Sequence, residues 1–302
     1  MTIAGRQLAM PGWAGGRVAT RVAQGAAVVG FVLGLWILVG LGIDRNGGSG
    51  GGDALAYWRA GRAIVDGTAL YGADAGTTSA FLYSPLFAQA VTPFTLLPQV
   101  AFVWLWRLLE VGALRVATGS WTRAGIAILV FPPVIIELAY GNVNLVIAAI
   151  CALVMRGRVA SWSLPMAVKA AAIPLAPLAL VSRPRTAVRS AAIVLAITAV
   201  SVAVAPALWS AYLDFLATAQ EPTWWTNLSR GIPLVARFVA AMGLGLLAVR
   251  WRRVAPVAVL IGLPIVWLSA LSILVATVVP LPAAEDTGQA TAATPGHDLA
   301  AI

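Results

Sequence analysis

The sequence predicts an all-α, polytopic integral membrane protein with about 8–10 membrane helices and one amphipathic helix in its first outer loop. Three observations predict it. Of 302 residues, 60% are hydrophobic and 10% charged, whereas a soluble domain carries about a quarter charged residues. The apolar residues form long runs separated by short polar turns. The basic residues give a net charge of +9, yet they stand in small clusters between those runs and form no stripe with aromatics. They read as topology signals, and no nucleic-acid partner is expected.

The elements follow in order. Residues 1–21, with Arg6, Arg17 and Arg21, form a cytoplasmic N-terminus. The run 22–43 is longer than a signal-peptide core and has no small-x-small cleavage site before the glycines, so it is expected to stay as a span. A first outer loop follows over 44–82, opening on the flexible run from Asn46 to Gly52. Within it 53–66 reads as a helix lying along the membrane surface. Asp53 is its N-cap, Gly67 its stop, and Leu55, Trp58, Arg62 and Val65 recur at helical spacing. Pro85, Pro93 and Pro98 interrupt 83–97, which is too short to cross a core of about 30 Å and reads as re-entrant. Spans are expected at 101–118, 124–140, 143–155, 190–209, 233–249 and 255–279, with 159–182 a hairpin of two short helices broken at Pro165, Pro174 and Pro177. Residues 22–280 thus form one membrane domain, and 281–302 an acidic, disordered tail.

Placing arginines on the cytoplasmic side sets the orientation. With the N-terminus inside and 83–97 not crossing, the clusters around Arg115, Arg156, Arg185 and Arg252 all fall inside. The alternative, in which both short segments cross fully, puts Arg115, Arg123, Arg156 and Arg158 outside. The first topology brings Asp53, Asn142, Lys169 and the Trp224 region to the outer face.

Cys151 and His297 are single, which excludes a disulfide framework, a zinc site and Ser-His-Asp or Cys-His chemistry. Neither a metal nor a cofactor is expected, and any chemistry rests on carboxylates, amides, Arg, Lys or aromatics. Asp53 is either a helix cap or a carboxylate held in a fixed place for catalysis. Arg59 and Arg62 either clamp a lipid phosphate with their guanidinium forks or snorkel to headgroups. Lys169 is the one Lys among twenty basic residues. Within the bilayer it needs a partner or a cavity holding an anion. Arg107 and Glu110, three apart on one helix, are expected to satisfy each other. Glu137 is a candidate second carboxylate beside Asn142 and Asn144, whose amides either hold sugar hydroxyls or cap a helix. Trp224 and Trp225 form an aromatic belt or a stacking surface for a sugar ring, with Asn227 beside them.

The series Asp53-Ala-Leu-Ala-Tyr-Trp58, Asp66-Gly-Thr-Ala-Leu-Tyr71 and Tyr83-Ser-Pro-Leu-Phe87 up to Leu97-Pro98 resembles the first outer loop of glycosyltransferase family 87. These are bacterial polyprenyl-phosphate-mannose-dependent α-mannosyltransferases of the GT-C membrane fold. Gly141-Asn-Val-Asn144 resembles the family's Gly-Gln-x-Asn, 169–174 its Lys-x-x-Pro region, and Asn227-Leu-Ser-Arg-Gly231 its Asn-Gln-Ser-Leu segment. The resemblance runs from about Asp53 to about Val249. Asn142 departs from the family's Gln, the Lys-Pro spacing is longer, and the resemblance leads one to expect about a pair of further C-terminal spans.

The resemblance implies a GT-C-like bundle in the cytoplasmic membrane with its active site facing outward. Its partners would be the bilayer, a polyprenyl-phosphate sugar donor and a glycolipid or glycan acceptor, and Asp53 would be the general base. Arg59, Arg62 and Lys169 are assigned here to the donor phosphate, and Asn142, Asn144, Trp224, Trp225 and Asn227 to the sugars. Two other readings remain: a transporter or flippase for a lipid-linked saccharide, and an inactive relative serving as a scaffold. A transporter is expected to depend on Lys169 more than on Asp53, and a scaffold to tolerate Asp53→Asn.

Overall fold

The computed structural model describes residues 12–45, 51–71, 80–218 and 227–281. The expected tail and residues Trp224 and Trp225 lie outside them. Among the described residues the fold is helical throughout, apart from one isolated antiparallel bridge between Asn227 and Trp267.

The expected 22–43 span is α1 (Gly12–Arg45), and the outer-loop helix is α2 (Gly52–Asp66), stopped by Gly67 in the left-handed conformation. Asp53 is not its cap. Gly51 is the N-cap, and Asp53 lies in the first turn with no capping hydrogen bond from its side chain. The stripe read from the sequence matches the buried face only at Leu55 and, in part, Trp58. Arg62 and Val65 face out, while Ala54, Leu55, Ala56, Tyr57, Ala60 and Gly61 are buried. Small residues let the neighbours come close: a β-carbon on Gly61 would lie 2.8 Å from Thr95 Cγ2. Trp58 Nε1 donates to the Leu97 carbonyl at 3.0 Å. So α2 packs onto the segment that follows it.

That segment is α3 (Pro85–Val91) and a 3₁₀ turn (Thr92–Leu96), short and Pro-interrupted as expected. Next come α4 (Gln99–Thr118), α5 (Trp121–Val130), α6 (Pro132–Tyr140) and α7 (Asn144–Met155). The expected straight span 124–140 is instead α5 and α6, bent by 95°. Pro132 causes the break, because its ring bars Phe131 from the helical region and Phe131 sits at φ −124, ψ 88. The hairpin expected at 159–182 is three 3₁₀ turns and α8 (Ala176–Ser182). The expected 190–209 span starts earlier, as α9 (Pro184–Val204), and ends where Pro206 opens α10 (Pro206–Thr218). After α11 (Leu234–Arg250), the expected 255–279 span divides at Pro264 into α12 (Ala255–Gly262) and a 3₁₀ stretch (Leu268–Val278).

Two described helices, α1 and α9, are long and apolar enough to cross a membrane, and the bent pair α5–α6 makes a third if counted as one span. Of the other apolar runs expected as crossings, 255–279 is broken at a proline, 143–155 and 233–249 form the shorter helices α7 and α11, and 101–118, in α4, carries Arg107 and Glu110 at mid-helix. These two are buried but do not pair. None of the three guanidinium nitrogens and neither carboxylate oxygen has a hydrogen-bond partner among the described residues, and the Arg107 guanidinium lies 4.7 Å from the Trp104 ring centroid.

The core centres on α7, ten of whose twelve residues are buried, Cys151 among them. A helix apolar on every side belongs inside. Around it the helices cross on small residues, as membrane packing favours. A β-carbon on Gly30 of α1 would lie 2.0 Å from the Gly125 carbonyl oxygen of α5, and one on Gly245 of α11 2.2 Å from that of Pro174. Gly243, on the same helix, has nothing within 4 Å. Gly245→Ala is therefore expected to destabilise the fold by about 1–3 kcal/mol, whereas Gly243→Ala is expected to be neutral or slightly stabilising. Thermal unfolding of both variants in one detergent checks this, and equal midpoints would refute the close crossing.

Candidate functional site

Three expected residues, from three separate elements, meet in one hydrogen-bonded chain. Asp53 comes from the first turn of α2. Asn142 follows Gly141, whose left-handed φ of 74° ends α6. Gly is required there twice over, because a β-carbon would also lie 2.7 Å from the Ala54 β-carbon. The missing side chain is what lets the Asn142 turn press against the start of α2. Lys169 stands in extended backbone between two 3₁₀ turns. Ser84 pins that strip in place, its amide donating to the Val168 carbonyl at 3.4 Å and its hydroxyl to the Ala167 carbonyl.

Asn142 Nδ2 donates to Asp53 Oδ2 at 2.7 Å. Its Oδ1 accepts from the Val143 amide at 2.7 Å, the Tyr83 hydroxyl at 3.1 Å and Lys169 Nζ at 3.4 Å. With donors converging on one atom and a carboxylate facing the other, the orientation of the amide is fixed. The Tyr83 hydroxyl in turn accepts from that of Tyr57 at 2.9 Å, and Lys169 Nζ lies 4.5 Å from the centre of the Tyr83 ring. Tyr57, Tyr83, Phe87 and Trp106 pack edge to face behind them, with centroids 4.9–6.1 Å apart. Asn142 is buried, while Asp53 and Lys169 each keep part of their surface open. A closed amide thus holds a carboxylate and an ammonium at the two open ends of the chain.

Protein packed around the Asp53 carboxyl pushes its pKa up to about 6, against the opposing effects of the Asn142 hydrogen bond and the Lys169 charge. It is ionised at neutral pH, yet far more basic than an ordinary Asp, as a group that accepts a proton should be.

The other expected site residues stand outside this hydrogen-bonded chain. At about 100° per residue, Arg59 and Arg62 stand about 120° and 180° around α2 from Asp53. Both are exposed, and Arg62 is engaged by Asp66, with Nε–Oδ2 and Nη2–Oδ1 distances of 2.9 Å. Glu137 and Asn144 are fully buried and hold each other. The Asn144 backbone amide donates to Oε1 at 2.7 Å and its Nδ2 to Oε2 at 2.9 Å, so this carboxylate caps α7. Asn227 accepts from the Ser229 amide and hydroxyl in a tight turn bridged to Trp267. Two residues that the sequence reading quoted without a role, Tyr57 and Tyr83, complete the chain. The spacing of Tyr57, one turn after Asp53, carried the signal.

No curated protein and no solved structure matches the chain. The family model of glycosyltransferase family 87 matches residues 81–294, which takes in Tyr83, Asn142 and Lys169 but begins after α2. Asp53 is therefore tied to the matched region by its bond to Asn142. With well over half its length matched, the chain belongs to glycosyltransferase family 87.

Proposed function

We propose that this membrane glycosyltransferase moves a mannosyl residue from a polyprenyl-phosphate sugar to a glycolipid or glycan acceptor at the outer face of the cytoplasmic membrane. The observation that carries the reading is the Asp53–Asn142–Lys169 chain, which holds a base and a cation at fixed separation through one rigid amide. Asp53 takes the proton of the acceptor hydroxyl as its oxygen bonds to the anomeric carbon. The bond from that carbon to the phosphate oxygen breaks, and polyprenyl phosphate leaves against Lys169. A sugar phosphate already has a good leaving group, so one base, one cation and orientation of the two substrates suffice. With Asp53 the one carboxylate of this hydrogen-bonded chain and Glu137 closed off by Asn144, the transfer inverts the anomeric centre, from a β-linked donor to an α-mannoside. Mannose and the lipid carrier come from the family resemblance.

The test is transfer from radiolabelled polyprenyl-phosphate-mannose by the purified chain, with a crude acceptor lipid extract, across pH. Label is expected in product, with kcat/KM level above about pH 6 and falling tenfold per unit below it as Asp53 takes up a proton. An Asp at its ordinary pKa would hold the rate down to about pH 4. Failure to use this donor, with a nucleotide sugar accepted in its place, would overturn the proposal.

Tyr83 separates orientation from charge. Tyr83→Phe keeps the ring beneath Lys169 and removes one of the donors to Asn142 Oδ1, so transfer is expected to fall about tenfold. Tyr83→Leu removes the ring as well and is expected to fall further. Equal rates for the two variants would show that the ring contributes nothing.

A further inference from the structure

At the far ends of α4 and α7 from Asp53, six arginines from four chain segments gather with no carboxylate partner among the described residues. Gly51 and Gly141 abut α4 at Val103 and Trp106, whereas Arg115 lies about 13 Å further along that helix than Trp106, at 1.5 Å per residue. Arg123 opens α5, Arg156 and Arg158 follow α7, and Arg252 and Arg253 join α11 to α12. The structure ties them together. Arg156 Nη2 lies where a β-carbon of Gly119 would stand 2.7 Å away, and Arg156 Nε donates to the Pro280 carbonyl at 3.4 Å. Arg252 Nη1 donates to the Met155 carbonyl at 2.8 Å, next to Arg156, and Arg253 donates to the Thr277 carbonyl. Burial, and then the charges of Arg158, Arg115 and Arg123, hold the pKa of Arg156 below its ordinary value.

Backbone carbonyls at helix ends take some of these donors, as cations at helix C-termini do. They do not cancel the charge. The one ion pair among the described residues is Arg62 with Asp66, and none of these six arginines has a carboxylate partner there. Trp121, 54% exposed and 5.9 Å beneath the Arg115 guanidinium, and Trp251, 57% exposed beside Arg252, flank the group. Exposed Trp at helix ends marks the level of the lipid headgroups.

We propose that this cluster is a binding site for the phosphate of an anionic membrane lipid in the leaflet opposite the Asp53 site. Guanidinium forks match phosphate oxygens, the Trp pair sets them at headgroup depth, and the repulsion built into the cluster is relieved when an anion enters. Free inorganic phosphate would satisfy the same forks. The Trp flank favours the lipid.

The test uses the full chain in nanodiscs of phosphatidylcholine with and without phosphatidylglycerol, with lipid retention read by native mass spectrometry. Arg123→Gln/Arg158→Gln removes two exposed members. Arg185→Gln/Arg189→Gln removes the same charge from α9, outside the cluster. The first double variant is expected to lose preferential phosphatidylglycerol retention by roughly tenfold or more, and the second to keep it. Arg123→Lys/Arg158→Lys, which keeps the charge, is expected to retain most of it and so controls for misfolding. Equal loss in both Gln variants would reduce the cluster to diffuse charge. No loss in either, or displacement of the lipid by millimolar inorganic phosphate, would also overturn the proposal.

Discussion

Asp53→Asn is expected to lower transfer roughly a thousandfold while leaving the donor KM within a few-fold of wild type. The amide has the size of the carboxylate, and its oxygen still accepts from Asn142 Nδ2, a bond of 2.7 Å in the native chain. Geometry is thus preserved and only proton acceptance is lost. A general base contributes about 10²–10⁴-fold in rate, and the raised pKa of Asp53 places it well for that work. Initial rates at pH 7.5, with the thermal midpoint as a check on folding, measure it. A loss of less than about threefold would remove Asp53 from the chemistry.

Lys169→Met has the second largest expected effect, a loss of about 10²–10³-fold in kcat/KM for the donor. Met fills the space of the aliphatic stem and deletes the ammonium, so Asn142 Oδ1 keeps the Val143 amide and the Tyr83 hydroxyl as donors. The base stays where it was, and what disappears is the charge facing the departing phosphate. Lys169→Arg is expected to recover only part of the activity, because a planar fork does not occupy the place of a point charge above the Tyr83 ring. Arg59→Gln and Arg62→Gln are expected to stay within threefold, since both side chains stand away from Asp53 around α2. Donor titrations of these variants in one detergent preparation check the contrast. A larger loss at Arg59 or Arg62 than at Lys169 would move the phosphate to the other side of α2.

The legible parts of this fold are those governed by local chemistry. Composition and apolar runs reveal the membrane protein, Gly67 ends α2 where a left-handed stop is needed, and the prolines of 83–97 and 159–182 forecast broken helices. Pro132, Pro206 and Pro264 are equally visible, yet the expected spans run across all three, because hydropathy averages over a break that a single ring creates. The buried face of α2 was hidden for another reason. Ala54, Ala60 and Gly61 have little hydrophobicity of their own and are buried because small size lets neighbours approach. Arg107 and Glu110 look paired at helical spacing, but spacing does not fix where two long side chains point.

In the site, the topology set by the arginines was enough to gather Asp53, Asn142 and Lys169 on one face. What escaped was the division of labour between two neighbouring asparagines. Asn142 faces the carboxylate and the ammonium, whereas Asn144 turns inward to Glu137, a difference set by the left-handed turn at Gly141 and the start of α7. A run of Gly-Asn-x-Asn cannot show which amide faces which way, because that depends on the β-carbon missing at position 141 and the neighbour that fills its place.

The most direct measurement is single-turnover transfer from prebound radiolabelled polyprenyl-phosphate-mannose, comparing wild type with Asp53→Asn after both have been shown to hold equal amounts of donor. The expected result is rapid appearance of an α-mannosylated product in the wild type and a donor-loaded but stalled variant. Equal single-turnover rates in the two, or a product that retains the β configuration, would contradict a transfer centred on Asp53.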